Sequence, residues 1–184
     1  MPKKRQAKII DGKRVAEAVR EDVRADVEAL ARRKIVPGLA VVLVGEDPAS
    51  QVYVRNKRKV CEDLGIASFA HDLPANCTER RLLNLIAKLN ADRAVHGILV
   101  QMPLPKQINE QRVLEAIDPD KDVDGFHPVN VGRLLNGEEA FMPCTPAGCR
   151  ELLLRSGYDP AGKHVVIVGR SNIVGKPMSM MLIQ

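Results

Sequence analysis

The sequence predicts an α/β protein: a parallel sheet covered by helices on both faces, three layers in all, followed by the beginning of a second α/β unit. Three observations predict it. Segments with helical spacing alternate with short apolar runs along the chain. The clearest runs, LAVVLV at 39–44 and GILV at 97–100, are apolar at every position, as strands buried between two helix layers are. The stretch VVIVGRSNIVGKP at 165–177 passes from an apolar run through a glycine-bearing loop into a helix start.

Each element has its own grounds. Residues 11–34 place Val15, Val19, Val23, Val27 and Leu30 on one stripe with charge elsewhere, which predicts an amphipathic helix. Pro37-Gly38 ends it, and 39–44 follows as a buried strand. GEDPAS at 45–50 reads as a loop. QVYVRNKRKVCEDLG at 51–65 reads as a helix with Gly65 at its C-cap. IASFAHDL at 66–73 is a weaker strand. TERRLLNLIAKLNAD at 78–92 predicts a helix with Thr78 as N-cap and Leu82, Leu85, Ile86 and Leu89 on one face. GILVQMPLP at 97–105 is a buried strand running into a proline loop, and 109–117 is a helix. The segment 118–149, rich in Pro and Gly, reads as a long connection. Within it CTPAGCRELLLRSG starts a helix, with Thr145 as N-cap and Pro146 at N1. The run HVVIV reads as a strand before the GRSNIVG loop. The boundary between units falls at 143/144, giving 1–143 and 144–184.

Composition narrows the function classes. The 184 residues are 45% hydrophobic and 28% charged, which suits one globular domain, or one and a fraction. Aromatics make up 3% and Trp is absent, so the core is aliphatic. The net charge of +5 has no long basic block beyond KKR at 3–5 and RNKRK at 55–59. An anionic small molecule explains that excess as well as nucleic acid does, and the aromatic platforms of single-strand readers are missing. Cys61, Cys77, Cys144 and Cys149 form no C-x-x-C pair, which argues against a zinc site and for reduced thiols in a cytoplasmic setting. No apolar run approaches the roughly 20 residues of a membrane span. The first long apolar run, at 39–44, stands too far in for a signal peptide.

Ligands of parallel α/β sheets gather at the carboxyl ends of strands. GEDPAS, QMPLP and GRSNIVG are the loops expected there. Tyr53 and Lys57 lie four apart and share a helix face. A ring and an amine could line one pocket wall, with burial lowering the amine's pKa for proton transfer; taken alone, the segment favours a solvated basic face. Gln101, at the end of GILV, can hold a lysine without adding charge, or simply end the strand. DPDKDVDGF matches the D-x-D-x-D-G start of a calcium loop, but its twelfth position is Val131 and no helix pair is evident around it, so calcium is rejected. A carboxylate turn remains, able to accept from the N–H groups of an amino-pyrimidine edge, or serving only as turn and cap chemistry. In GRSNIVG, Gly169 permits the turn, Gly175 permits close packing, and Arg170 and Ser171 stand at a helix N-terminus that favours phosphate. An ordinary strand–helix turn is the alternative.

Taken in order, PASQVYVRNKRK, GILVQMPLP, DVDGFHPVNVGRL, PCTPAGC and VVIVGRSNIVGKP resemble the bifunctional methylenetetrahydrofolate dehydrogenase/cyclohydrolase (FolD-type) family, from about residue 9 onward. The resemblance implies a folate-binding catalytic α/β domain joined to a Rossmann-like NADP-binding domain. It implies oxidation of 5,10-methylenetetrahydrofolate with NADP and hydrolysis of the methenyl product to 10-formyltetrahydrofolate. The setting implied is cytoplasmic one-carbon metabolism serving purine biosynthesis, in a homodimer without metal, nucleic acid or membrane partners. Residue by residue, Tyr53 matches the aromatic on the folate and Lys57 the catalytic lysine. Gln101 matches its orienting glutamine, Pro103 a substrate contact and Asp124 the pterin-gripping carboxylate. Gly169, Arg170, Ser171 and Gly175 match the cofactor loop. The second unit holds only one strand and part of one helix. The sequence therefore reads as C-terminally truncated, with an impaired or merely folate-binding chain as the alternative.

Overall fold

Alternation of apolar segments produces the element order α1 (Gly12–Arg32), β1 (Gly38–Val44), α2 (Pro48–Leu64), β2 (Ala67–Leu73), α3 (Glu79–Ala91), β3 (Gly97–Val100), α4 (Glu110–Ala116), α5 (Pro128–Asn136), α6 (Cys144–Arg155) and α7 (Gly175–Ile183). This is a computed structural model that describes residues 7–183; the KKR cluster at 3–5 lies outside the described residues.

The three strands form one parallel sheet in the order β2-β1-β3. Gly38 stands opposite Ala67 and Val44 opposite Leu73, while Leu39 to Val42 pair with Gly97 to Val100. β1 is apolar throughout because both faces are covered. Ala40, Val42 and Val44, with Ile98 and Val100, pack under Leu82, Ile86 and Leu89 of α3 and Val113 of α4. Val41, Leu43 and Leu99 face the other way, onto Val54 of α2. The period-2 alternation of a strand thus divides one apolar run between two cores.

The strand order creates a switch point. From β1 the chain crosses through α2 to β2 on one side, and α3 carries it back to β3 on the other. The carboxyl ends of β1 and β3 therefore send their loops to opposite faces, and a crevice opens between them.

Local chemistry sets the helix ends. Asp47 accepts a 2.8 Å hydrogen bond from the Ser50 N–H, and Pro48 occupies the first turn. α2 consequently starts three residues before the expected boundary, taking PAS out of the GEDPAS loop. Gly65 closes α2 in the left-handed region, as expected. Thr78 caps α3 by accepting from Arg81 N at 3.3 Å. On α1 Val15 is buried, while Val19, Val23, Val27 and Leu30 are half-buried. Its acidic flank meets α6 through a 2.7 Å ion pair between Asp22 and Arg155.

Several expectations are corrected. Segment 118–149 is not all connection, because it contains α5. His127 Nδ1 caps it by accepting from Val129 N at 3.1 Å, Pro128 sits in the first turn, and Gly137 closes it at φ 74°. Proline and glycine punctuate this helix rather than exclude one. α4 and α5 also flank the DPDKDVDGF turn, so a helix pair is present there; Val131 at the twelfth position still speaks against a calcium loop, as does Asp122, whose Oδ2 is taken by His127 N and Asn130 Nδ2. The N-cap of α6 is Pro143, not Thr145, with no side-chain cap. Pro146 lies deeper in the first turn than N1, tolerated because N–H groups there lack intrahelical partners. Finally, HVVIV is not a strand: it pairs with no strand among the described residues, and Val166 and Val168 stand exposed.

Candidate active site

The crevice between β1 and β3 collects side chains from three directions. Buried Ser50, Val54, Cys61 and Leu64 fix which face of α2 meets the sheet. Lys57 follows Val54 by three residues and stands half-buried at the margin of that face. From there its Nζ donates to Gln101 Oε1 at 3.2 Å.

Gln101 is held in turn. Its backbone N–H donates to Val42 O at 2.9 Å, carrying the ladder one residue past β3. Its side-chain Nε2 donates to Met102 O at 2.8 Å, which turns the amide oxygen toward Lys57. The amide thus fixes an amine without adding a charge. Pro103, after a cis Met102–Pro103 peptide, is exposed on the rim. Tyr53, one turn before Lys57, is 63% exposed, so its ring is open to a flat ligand.

Asp124 enters on the turn between α4 and α5. Burial pushes its carboxyl up to about 6, the negative Asp122 adds to that rise, and the Lys57 charge opposes it. Lys57, Gln101 and Asp124 therefore form one electrostatic unit. Cys144, at the start of α6, places its Sγ 4.0 Å from Asp124 Oδ1 and 3.9 Å from Val123 O. Burial first, and then the Asp124 charge, raises that thiol, which keeps it a weak donor.

The Asp124 turn is anchored at three places. Ile98 N donates to Lys121 O at 2.7 Å, tying the turn to the edge of β3. Lys121 Nζ donates to the carbonyls of Leu89, Asn90 and Asp92, the end of α3. Asp122 Oδ2 accepts from His127 N at 2.8 Å and Asn130 Nδ2 at 3.0 Å, at the start of α5. Gly125 adopts φ 64°, and a Cβ there would collide with the Phe141 carbonyl. Lys121, Asp122, Asn130 and Cys144 escaped the sequence reading. The acidic run by itself showed a carboxylate turn without choosing among its carboxylates; the family resemblance chose Asp124.

The loop 169–175 is a separate structure. Ser171 Oγ accepts from Val174 N at 3.1 Å and Gly175 N at 3.2 Å, capping the start of α7. A Cβ on Gly175 would stand 2.5 Å from Gly169 O, so the turn closes only with glycine there. Arg170 is exposed. Among the described residues no hydrogen bond joins this loop to Lys57, Gln101 or Asp124.

Comparison with known proteins places this geometry. Residues 10–124 match the model of the tetrahydrofolate dehydrogenase/cyclohydrolase catalytic domain. The chain belongs to that family. Residues 143–184 match the family's NAD(P)-binding domain. The chain is 62% identical over 178 residues to the bifunctional protein FolD of Magnetococcus marinus, covering 96% of this chain and 62% of the relative. The solved FolD methylenetetrahydrofolate dehydrogenase/cyclohydrolase of Campylobacter jejuni superposes with a TM-score of 0.92 at 48% identity, over 96% of this chain and 63% of that one. The Trypanosoma brucei enzyme, solved with NADP cofactor and an inhibitor, gives a TM-score of 0.92 at 40% identity, over all of this chain and 62% of that one. The chain thus spans about three fifths of the length of these relatives.

Proposed function

We propose that this chain carries the folate site of a bifunctional enzyme of one-carbon metabolism. The enzyme oxidises 5,10-methylenetetrahydrofolate to 5,10-methenyltetrahydrofolate with NADP and hydrolyses the product to 10-formyltetrahydrofolate. The observation that carries the proposal is the Lys57–Gln101 hydrogen bond at the sheet's switch point, with Asp124 facing the same lysine.

Each residue has a part. The open ring of Tyr53 stacks on the pterin. Ionised Asp124 accepts from the N–H groups of the amino-pyrimidine edge, which fixes the register of the folate. Lys57 then stands beside the one-carbon bridge as the proton-transfer group for water addition, and Gln101 keeps its amine aimed. Pro103 lines the rim.

The 169–175 turn fits a dinucleotide phosphate: glycines at its closure, an exposed Arg170 and the start of α7. Gly169, Arg170, Ser171 and Gly175 would hold NADP there, and the chemistry it supplies when bound is acceptance of a hydride from the methylene carbon. The boundary at 143/144 belongs to the same proposal, supported by family matches that end at 124 and resume at 143. Homodimerisation, a cytoplasmic location and the absence of nucleic-acid or membrane partners are carried with it from the family likeness. Among the described residues no helix is long and apolar enough to cross a membrane.

The test is Lys57→Met. Hydrolysis of 5,10-methenyltetrahydrofolate should fall by about 100-fold or more, with folate affinity changed only a few-fold. Hydrolysis at the wild-type rate would remove Lys57 from the mechanism.

A further inference from the structure

Asp122 and Asn130 are each 1% exposed, the two most enclosed polar side chains near the site. Asp122 lies in the turn that presents Asp124, and Asn130 reaches it from α5. Asn130 Nδ2 spans Pro119 O at 2.8 Å and Asp122 Oδ2 at 3.0 Å, bridging the beginning and middle of the turn. The same Asp122 oxygen accepts from His127 N, two residues before Val129 on the far side of the turn. Asp122 also bridges to Ile98 of β3, so its backbone extends the sheet by one residue. A carboxylate taken out of water is tolerated only when it is paired or hydrogen-bonded, and this one accepts through Oδ2 from His127 N and from Asn130 of α5.

We propose that Asp122, clamped by Asn130, is a positioning residue for the folate site: it fixes the turn that aims Asp124 and stands a negative charge behind it. This rests on Asp124 being the pterin-binding carboxylate. Asp124 is faced by Lys57 from α2 and the Cys144 thiol from α6, with Asp122 behind it on its own turn. Lys57 favours the ionised form of Asp124 and Asp122 opposes it. The balance sets the pH at which the site accepts a ligand that donates N–H groups, so the clamp tunes binding without touching the ligand.

The experiment is calorimetric titration of the 184-residue chain with 5-formyltetrahydrofolate from pH 5 to 8, for the wild type, Asp122→Asn and Asp124→Asn. Thermal melts confirm that each variant is folded. Asp122→Asn keeps the shape and removes the charge. Its pH midpoint for binding should move down by about half a unit or more. An unshifted midpoint overturns the proposal, because a merely structural role would change affinity at all pH values alike. If Asp124→Asn binds as the wild type does, the reading of Asp124 fails and the positioning role falls with it. If Asp122→Asn does not fold, Asn130→Ser decides: it keeps the carboxylate and cuts its side-chain donor. Affinity at pH 7.5 should then drop about threefold or more, and wild-type affinity overturns the proposal.

Discussion

Asp124 is under opposing demands. Its ordinary value is 3.8, and in the fold it ionises near 6. Between those values the folded chain holds a proton that the unfolded chain has released. Stability therefore falls as pH rises through that window, and above it the native state bears the whole penalty of a desolvated charge. Asp124→Asn should stabilise the protein at pH 7.5 by about 1–2 kcal/mol, read by urea denaturation, with the gain gone at pH 4. The same change should weaken reduced-folate binding at pH 7.5. A variant that loses stability at pH 7.5 would show that Asp124 supports the turn instead of straining it. Ligand affinity in the wild type should likewise decline as pH drops below about 6, where the acceptor is lost.

At the scale of elements, the 118–127 turn acts as a clasp between α3, β3 and α5. Lys121 is its fastening to α3, engaging the carbonyls of Leu89, Asn90 and Asp92 at the helix end, where Leu89 O also accepts from Asp92 N and Asp92 O from Val95 N, each at 3.3 Å. Lys121→Met should cost about 1–3 kcal/mol and lower folate affinity, although the side chain touches no ligand. A melt unchanged from the wild type would reduce the contact to decoration. This clasp marks where sequence reading stopped. Thr78 and Gly65 were legible as caps because their chemistry is local: a hydroxyl three residues from an N–H, a residue free to turn left-handed. α5 was not legible. Its cap is the imidazole of His127, and its first residue is a proline in a stretch dense with turn formers. Asp122 and Asp124 look alike in sequence, and only tertiary packing turns one inward to Asn130 and the other out toward Lys57.

Across the whole molecule, the buried core is concentrated in the three-stranded unit. Leu82 is fully enclosed between α3 and the sheet, while Val168 is 99% exposed. Leu82→Ala should cost about 2–5 kcal/mol, whereas Val168→Ser should stay within about 0.5 kcal/mol, both by denaturant titration of the 184-residue chain. A large loss at Val168 would reveal packing around 165–168 that the described residues do not contain. The apolar runs LAVVLV and GILV announced the first unit because each is buried on both faces. HVVIV carries the same pattern, but pattern alone does not create a ladder. A strand exists through its neighbours, and among the described residues none is beside it.

Lys57 and Gln101 are 44 residues apart in sequence and meet only because β3 lies against β1 on the side opposite β2. Neither local helix formation nor the β1–β2 pair brings them together. A growing or refolding chain therefore has no aimed amine until its last sheet strand docks. The aimed amine of the proposed site is thus a property of the β1–β3 pairing, and a molecule without that pairing lacks it however helical it is.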